Sequence, residues 1–362
     1  MSGGGALLVV GFAGPRLEGA ERRQLARVRP GGVILFARNL RDLGQLERLV
    51  SEIREVTPGA LLCVDAEGGR VDRLRALAAP APAAASLARL PVRWSLRSGR
   101  AMGEVLRACG FDLDFAPVAD LDRGERGNAL DGRCLGASPR GAAARAGAFL
   151  AGLASRGVAG CPKHFPGLGG ARADTHAAGA PIALSRGELA RDLAPFRRLA
   201  PRAAAMMAGH AAYPAWDPSG LPATLSRRIA TGLLRGNLGY RGLLFSDDLE
   251  MGALADRGGL AERAEAALAA GCDGLLVCSE LGEAGAVSQR LGRPLLARHR
   301  ERAERRWRRL RTAVEQLRRA APPAGPCQAA ARRLGDLAAA VADAQNGMSS
   351  SSGPLSPGPC SS

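Results

Sequence analysis

Short apolar runs alternate along this chain with stretches whose apolar positions recur every three or four residues. The runs read as strands near Leu7–Phe12, Val33–Phe36, Leu61–Val64, Phe111–Val118, Val158–Cys161, Ala204–Met207, Leu243–Ser246 and Gly274–Cys278. Leu43, Leu46, Leu49, Val50 and Ile53 form one stripe within Leu40–Val56, as an amphipathic helix requires. Ser95–Cys109, Pro139–Ser155, Ser185–Leu199, Ser226–Leu238 and Gly259–Gly271 read the same way. Ser185 and Ser226 are placed as helix N-caps, and Glu188 completes a capping box with Ser185. Eight strands, each followed by a helix or long loop, predict an α/β fold: a single (β/α)8 barrel of the TIM type. A doubly wound sheet is the alternative, but no GxGxxG follows an early strand. The expected domain spans residues 1–345. From Asn346 the composition turns to Ser, Pro and Gly, which predicts a disordered tail over 346–362.

Polar residues cluster just after these strands. Asp65 follows the third, Asp120 the fourth, Lys163-His164 the fifth, His210 the sixth and Asp247-Asp248 the seventh. In a barrel all C-terminal strand ends share one rim, so residues far apart in sequence converge there. This coincidence is the physical argument for an enzyme. The stretch after Val158 carries the densest chemistry, AGCPKHFPGLGGARADTHAAGAP. Among 50 basic residues Lys163 is the only lysine, and two of the four histidines, His164 and His176, lie close behind it. A lysine offers a compact point charge where arginine offers a planar fork, so the exception points to a defined role.

Composition narrows the function classes. The chain has 362 residues, 46% of them hydrophobic and 4% aromatic, enough for a large core. No apolar run approaches the ~20 residues needed to cross a bilayer, and Ala6–Phe12 reads as a first strand, not a signal peptide. No membrane partner is expected. The eight cysteines are scattered without CxxC spacing, which fits a reducing, cytoplasmic setting and no metal site. The net charge of +16 raises the prospect of nucleic acid. Its densest cluster, Arg298–Arg311, is interspersed with Glu301 and Glu304, however, and reads as a solvated, ion-paired helix face. No aromatic residues interleave with basic ones as a base-stacking platform needs, so no nucleic-acid partner is expected.

The candidate chemistry is that of a hydrogen-bonded, neutral, polyhydroxyl ligand. Asp65 can accept from hydroxyls, with Arg70, Arg73 and Arg133 as donors. Asp247 ends an apolar run, and a rim carboxylate can serve as nucleophile, base or metal ligand. Asp248 reads better as a helix N-cap. Asp174 precedes His176 by two residues, and a carboxylate on one imidazole nitrogen raises the basicity of the other. Gly167, Gly169 and Gly170 would let the segment between Lys163 and His176 swing over a ligand.

VDAEGGRVDRL, FAPVADLD, CPKHFPGLGG with ADTH, MAGHAAYP and GYRGLLFSDDLEMGAL occur in this order. Together they resemble the family 3 glycoside hydrolases, and within them the single-domain bacterial β-N-acetylhexosaminidases of peptidoglycan recycling. The likeness covers roughly Leu7 to Leu317. It implies a cofactor-free retaining exo-β-N-acetylglucosaminidase acting on a muropeptide-derived saccharide, expected to be a monomer. It implies that Asp247 is the nucleophile, that His176 donates and accepts the proton, and that Asp174 orients His176. It implies that Asp65, Arg73, Arg133, Lys163 and His164 hold the sugar. Retaining glycosidases ordinarily use two carboxylates; in this subfamily a histidine replaces one. Two departures bear on substrate detail. Leu168 stands where the family's turn has a histidine, and Cys134-Leu135 replaces an aromatic-containing pattern. A β-glucosidase or a phosphorolytic relative remains open on the same fold, as does a basic pseudoenzyme or binding protein.

Overall fold

The computed structural model describes residues 3–125, 127–171 and 181–350. Eight parallel strands form one sheet: β1 (Leu8–Val10), β2 (Gly32–Leu35), β3 (Leu61–Val64), β4 (Leu113–Asp114), β5 (Ala159–Gly160), β6 (Ala205–Ala208), β7 (Leu243–Asp248) and β8 (Gly274–Val277). Each pairs with its sequence neighbour except at one seam, and β8 pairs back onto β1 with Leu8 opposite Leu275. The seam lies between β5 and β6. It is bridged beyond β5, where the Phe165 amide donates to the Met207 carbonyl at 2.8 Å and the Gly209 amide to the Phe165 carbonyl at 3.0 Å. The sheet therefore closes as the expected barrel. Every residue of β1, β2, β3, β6 and β8 is buried. This is why those segments read as continuous apolar runs: helices cover one face and the barrel interior the other.

β4 is shorter than the expected Phe111–Val118. Pro117 has no amide hydrogen to give the ladder, and two aspartate side chains of this segment bind backbone amides of the neighbouring chain segment. Asp112 Oδ2 accepts from the Leu62 amide at 2.7 Å, and Asp114 Oδ1 from the Ala66 amide at 2.9 Å.

Helices α1 (Gly19–Val28), α2 (Leu43–Val56), α3 (Ala84–Ala88), α4 (Arg93–Ala108), α5 (Pro139–Ala154), α6 (Arg186–Leu199), α7 (Leu260–Ala270) and α8 (Ala284–Leu291) pack outside, with a π-wound turn over Arg228–Asn237. The Ser185–Glu188 capping box opens α6, and Ser226 Oγ accepts from the Ile229 amide at 3.1 Å.

Helix α9 (Ala297–Ala320) closes the N-terminal end of the barrel and reveals what its arginines do. Trp307 is 1% exposed and packs edge-on against Phe245, its indole N–H donating to the Asp273 carbonyl at 2.9 Å. Asp273, just before β8, is gripped by Arg235 at 2.6 Å and Arg306 at 2.7 Å. Asp112, just before β4, is gripped by Arg54 at 2.6 Å and by Arg318. The expected solvated face over Arg298–Arg311 thus holds only in part: Arg306 is a structural member of the barrel floor, as is Arg318 further along the helix.

Helix α10 (Cys327–Ser350) packs on α3 and α4 through Ala330, Leu334 and Val341, which are buried at helical spacing. The expected tail boundary at Asn346 falls inside this helix. Residues 351–362 lie outside the described residues. No helix among the described residues is long and apolar enough to cross a membrane.

Replacing one partner of a buried charge pair strands the others. Asp273→Ala leaves Arg235 and Arg306 without their shared carboxylate and should cost about 3–5 kcal/mol in urea unfolding. Arg319→Ala, whose Glu315 contact is 3.8 Å at an exposed site, should cost less than about 0.5 kcal/mol.

Candidate functional site

The C-terminal rim gathers the polar residues that follow the strands. After β3 the chain makes a tight hairpin, Ala66–Gly68 against Val71–Asp72. Gly68 and Gly69 have φ of +85° and +61°, and a Cβ at Gly68 would stand 2.4 Å from the Pro82 carbonyl oxygen. Only glycine allows this turn and this approach. The hairpin carries Asp65 and Glu67 to the end of β5, where Lys163 donates to Asp65 Oδ1 at 2.6 Å and Glu67 Oε1 at 2.7 Å. Arg133, in the loop after β4, forks onto both Glu67 oxygens at 2.7 Å each. Its Nη1 also donates to the Ala129 carbonyl at 2.8 Å. Lys163, Glu67 and Arg133 are buried, and Asp65 is half-buried. Burial would raise the pKa of Glu67, but Lys163 and Arg133 hold it well below the ordinary carboxylate range. Lys163 in turn is held above its ordinary value, because Asp65 and Glu67 outweigh its own desolvation. Glu67, Lys163 and Arg133 therefore stay charged near neutral pH.

His164 is joined to Lys163 by a cis peptide. Asp120 fixes the turn beyond it. The Asp120 Oδ2 accepts from the His164 amide at 3.1 Å and lies 2.7 Å from Nδ1, and the Oδ1 accepts from the Leu168 amide at 2.8 Å. An acceptor oxygen at Nδ1 places a hydrogen on that nitrogen. The turn that begins this loop is thus held through a backbone amide and not through the side chain at 168. Leu168 itself is buried, with its methyl groups against Gly209.

The three glycines expected to let the loop swing are closely packed in this structure. A Cβ on Gly167 would meet the Asp192 Cβ at 2.8 Å, on Gly169 the Leu121 carbonyl oxygen at 2.9 Å, and on Gly170 the Leu184 Cδ1 at 2.4 Å. They allow close packing at the loop's root, which an ion pair of Arg123 with both Asp192 oxygens at 3.0 Å further ties down. Asp174 and His176 lie outside the described residues.

Asp247 stands half-buried at the end of β7, its Oδ1 accepting from the Asp248 amide at 2.8 Å. Burial works to raise its pKa, but His210, His164, that amide and Lys163 prevail and hold it below the ordinary value. Asp247 is thus an anion whose balancing charges come from across the rim. Asp248 differs: burial, then Glu250, push its pKa up, and its Oδ1 accepts from the Glu250 amide at 3.2 Å. It shapes a turn before a short 3-10 helix at Gly252–Leu254, where the sequence predicted a helix cap.

Lys163, His164 and Asp247 thus share one rim with Asp65 and Arg133. Arg73 is half-buried, with its guanidinium 5.7 Å from the centre of the Phe36 ring. Sequence reasoning missed Glu67, the carboxylate that binds both cations. Its one signal is its position two residues after Asp65, beside a double glycine. Among the described residues no three His, Cys, Asp or Glu side chains are grouped to hold a metal ion.

Residues 3–294 match the model of the glycosyl hydrolase family 3 N-terminal domain. A protein named beta-hexosaminidase from Pseudomonas aeruginosa is 43% identical over 280 residues, covering 76% of this chain and 83% of that one. Another of that name, from Chromobacterium violaceum, is 38% identical and covers 94% of this chain and 97% of its own. Among solved structures, NagZ from Neisseria gonorrhoeae superimposes with a TM-score of 0.75 at 33% identity, over 91% of this chain and 97% of that one. A family 3 β-N-acetylglucosaminidase from a Paenibacillus species gives 0.80 at 31% identity, over 92% of this chain and 68% of that one.

The depressed pKa of Glu67 makes a sign-definite prediction. Below pH ~4.5 the unfolded chain takes up a proton that folded Glu67 refuses, so acid favours unfolding. Stability to urea should therefore fall between about pH 4.5 and 3 in the parent. Glu67→Gln should start lower, by about 3–5 kcal/mol at neutral pH, and fall less steeply in that window. Equal slopes would show that Glu67 is not the depressed group.

Proposed function

The chain belongs to glycosyl hydrolase family 3 and is a glycoside hydrolase, and from that premise we propose that it is a retaining exo-β-N-acetylglucosaminidase. The observation that carries this reading is Asp247. It is an anion at a barrel strand's C-terminal end, on the rim that also carries the charge-paired Asp65, Lys163 and Arg133. A carboxylate kept ionised and half-exposed can attack an anomeric carbon. Fixed donors and acceptors around it suit a sugar's hydroxyls.

In this reading Asp247 forms a covalent glycosyl-enzyme while His176 protonates the leaving oxygen. His176 then removes a proton from water, which attacks the same carbon, so that two inversions give retention. Asp174 orients His176 and tunes its basicity. Asp65, Lys163, Arg133, His164 and Arg73 hold the N-acetylglucosamine ring. The steps draw only on side chains and need no cofactor. The names of the hexosaminidase and N-acetylglucosaminidase relatives support the sugar. A muropeptide-derived saccharide as substrate, a cytoplasmic site of action and a monomeric state extend the same reading. The working unit is a single barrel domain, the expected residues 1–345 extended by the remainder of α10.

Release of the aryl group from an aryl N-acetyl-β-glucosaminide should be catalysed by the parent and reduced to background in Asp247→Ala. His176→Ala should lose about 10²–10⁴-fold on a poor alkyl or sugar leaving group and far less on an activated aryl group, which needs little protonation. Equal losses on both substrates would remove His176 from the acid role. Turnover of the aryl β-glucoside alone would replace the sugar. Sugar phosphate formed in phosphate buffer would replace water as acceptor.

A further inference from the structure

His210 follows β6 and is 1% exposed. Its two ring nitrogens each meet a described partner. Nε2 lies 2.8 Å from the backbone carbonyl oxygen of Asp248, and Nδ1 lies 2.9 Å from Thr224 Oγ1. A carbonyl only accepts, so Nε2 carries a hydrogen. Thr224 Oγ1, on a residue with no exposed surface, is also 2.8 Å from the Gly209 carbonyl oxygen. The hydroxyl has one hydrogen. Given to Gly209, it leaves the oxygen to accept from Nδ1–H. Given to Nδ1, it leaves the buried Gly209 carbonyl without that donor. Buried polar groups are almost always satisfied, and only the first arrangement satisfies all of them.

We propose that His210 is a positioning residue held as an imidazolium, donating from both nitrogens, which orients the end of β7 and keeps Asp247 ionised. This rests on the reading of Asp247 as nucleophile. The Asp248 carbonyl and the Asp248 amide flank one Cα. The first is bound by His210 and the second binds Asp247 Oδ1 at 2.8 Å, so the ring fixes the strand end on which Asp247 is mounted. The described titratable groups facing this corner are Asp247, Asp248 and Glu250 at the end of β7, Lys163 and His164 after β5, and the buried thiols of Cys161 and Cys278. Among the described positive groups acting on Asp247, His210 contributes most. The charge serves both steps. In the first it keeps the attacking carboxylate ionised. Once Asp247 has become an ester, it stabilises the carboxylate that must leave, as the glycosyl carbon passes to water and the electron pair returns to Asp247.

Two measurements test this. The first uses the parent enzyme labelled with ¹⁵N at histidine, His210 being assigned by the signals lost in His210→Gln. At pH 7 both of its ring nitrogens should resonate in the protonated range; one bare nitrogen would overturn the proposal. The second uses Thr224→Val, which removes the acceptor of His210 Nδ1–H and leaves Asp247 and the His210 side chain in place. It should lower kcat about tenfold with KM little changed, as when a nearby opposite charge is lost. It should move the acidic limb of kcat/KM upward by about one pH unit. Thr224→Ser, which keeps the hydroxyl, should restore both. A limb unmoved in Thr224→Val would overturn the link to Asp247. If the imidazolium signals are present but no N-acetylglucosaminide is turned over, the proposed activity fails and the assignment of His210 stands.

Discussion

The rim rests on one constraint: Glu67 is a carboxylate out of water, and it must be matched there. Two cations from separate parts of the chain, Lys163 after β5 and Arg133 after β4, converge on its two oxygens at 2.7 Å. To bring them together the hairpin must turn at a double glycine, and the loop around Ala129 must wrap far enough for Arg133 to reach. Such a cluster is a poor way to gain stability. Desolvating ions costs several kcal/mol each, and a well-packed apolar replacement commonly does as well or better. What the arrangement does provide is a set of charges already held in place. A ligand's hydroxyls then meet donors and acceptors that need no reorganisation.

The two ends of the barrel handle buried aspartate in opposite ways. On the floor, Asp112 and Asp273 each take two guanidinium groups, and Asp273 also accepts from the Leu244 amide at 3.0 Å. Carboxylates gripped this way are inert struts. On the rim, Asp247 is balanced chiefly by His210 and His164, with one amide on Oδ1 and Lys163 contributing least. That keeps the group anionic without covering it in guanidinium, which a nucleophile requires. The same contrast accounts for part of the net charge of +16. Arg54, Arg235, Arg306 and Arg318 are the floor's counterions and need no external polyanion to explain them.

The strands were legible because they are buried on both faces and so read as unbroken apolar runs. Their order on the rim followed from the barrel once the count reached eight. Asp247, Lys163 and His164 were legible because each directly follows such a run. Glu67 was not. It lies within a turn motif, and its role exists only when residues 66 and 96 positions further along arrive beside it. The close packing at the glycines after Pro166 was hidden for a related reason. Sequence shows the missing side chain but not Asp192 and Leu184, which occupy the space where it would be. The arginines of α9 look alike in sequence, and only the positions of Asp112 and Asp273 distinguish Arg306 and Arg318 from solvated neighbours. The helix beyond Asn346 was obscured by a Ser-rich stretch. Its register is set by Ala330, Leu334 and Val341, which lie upstream of that composition change.

The departure at Leu168 can be judged from how the turn is held. Had the side chain at this position anchored the loop root, leucine would have left a buried acceptor empty. Instead the Leu168 amide meets Asp120 Oδ1, while the same carboxylate's other oxygen orients His164. The backbone therefore couples the loop's start to the histidine whatever side chain position 168 carries. The leucine side chain fills an apolar niche against Gly209, where a Cβ would stand 3.5 Å from its methyl groups and 3.1 Å from the His164 Cβ. A polar ring in that niche would need a partner of its own or would displace the neighbouring strand end. Leucine and Gly209 thus form a matched pair, and the loop root, its tie to Asp120 and the setting of His164 are independent of the histidine that the family's turn carries there.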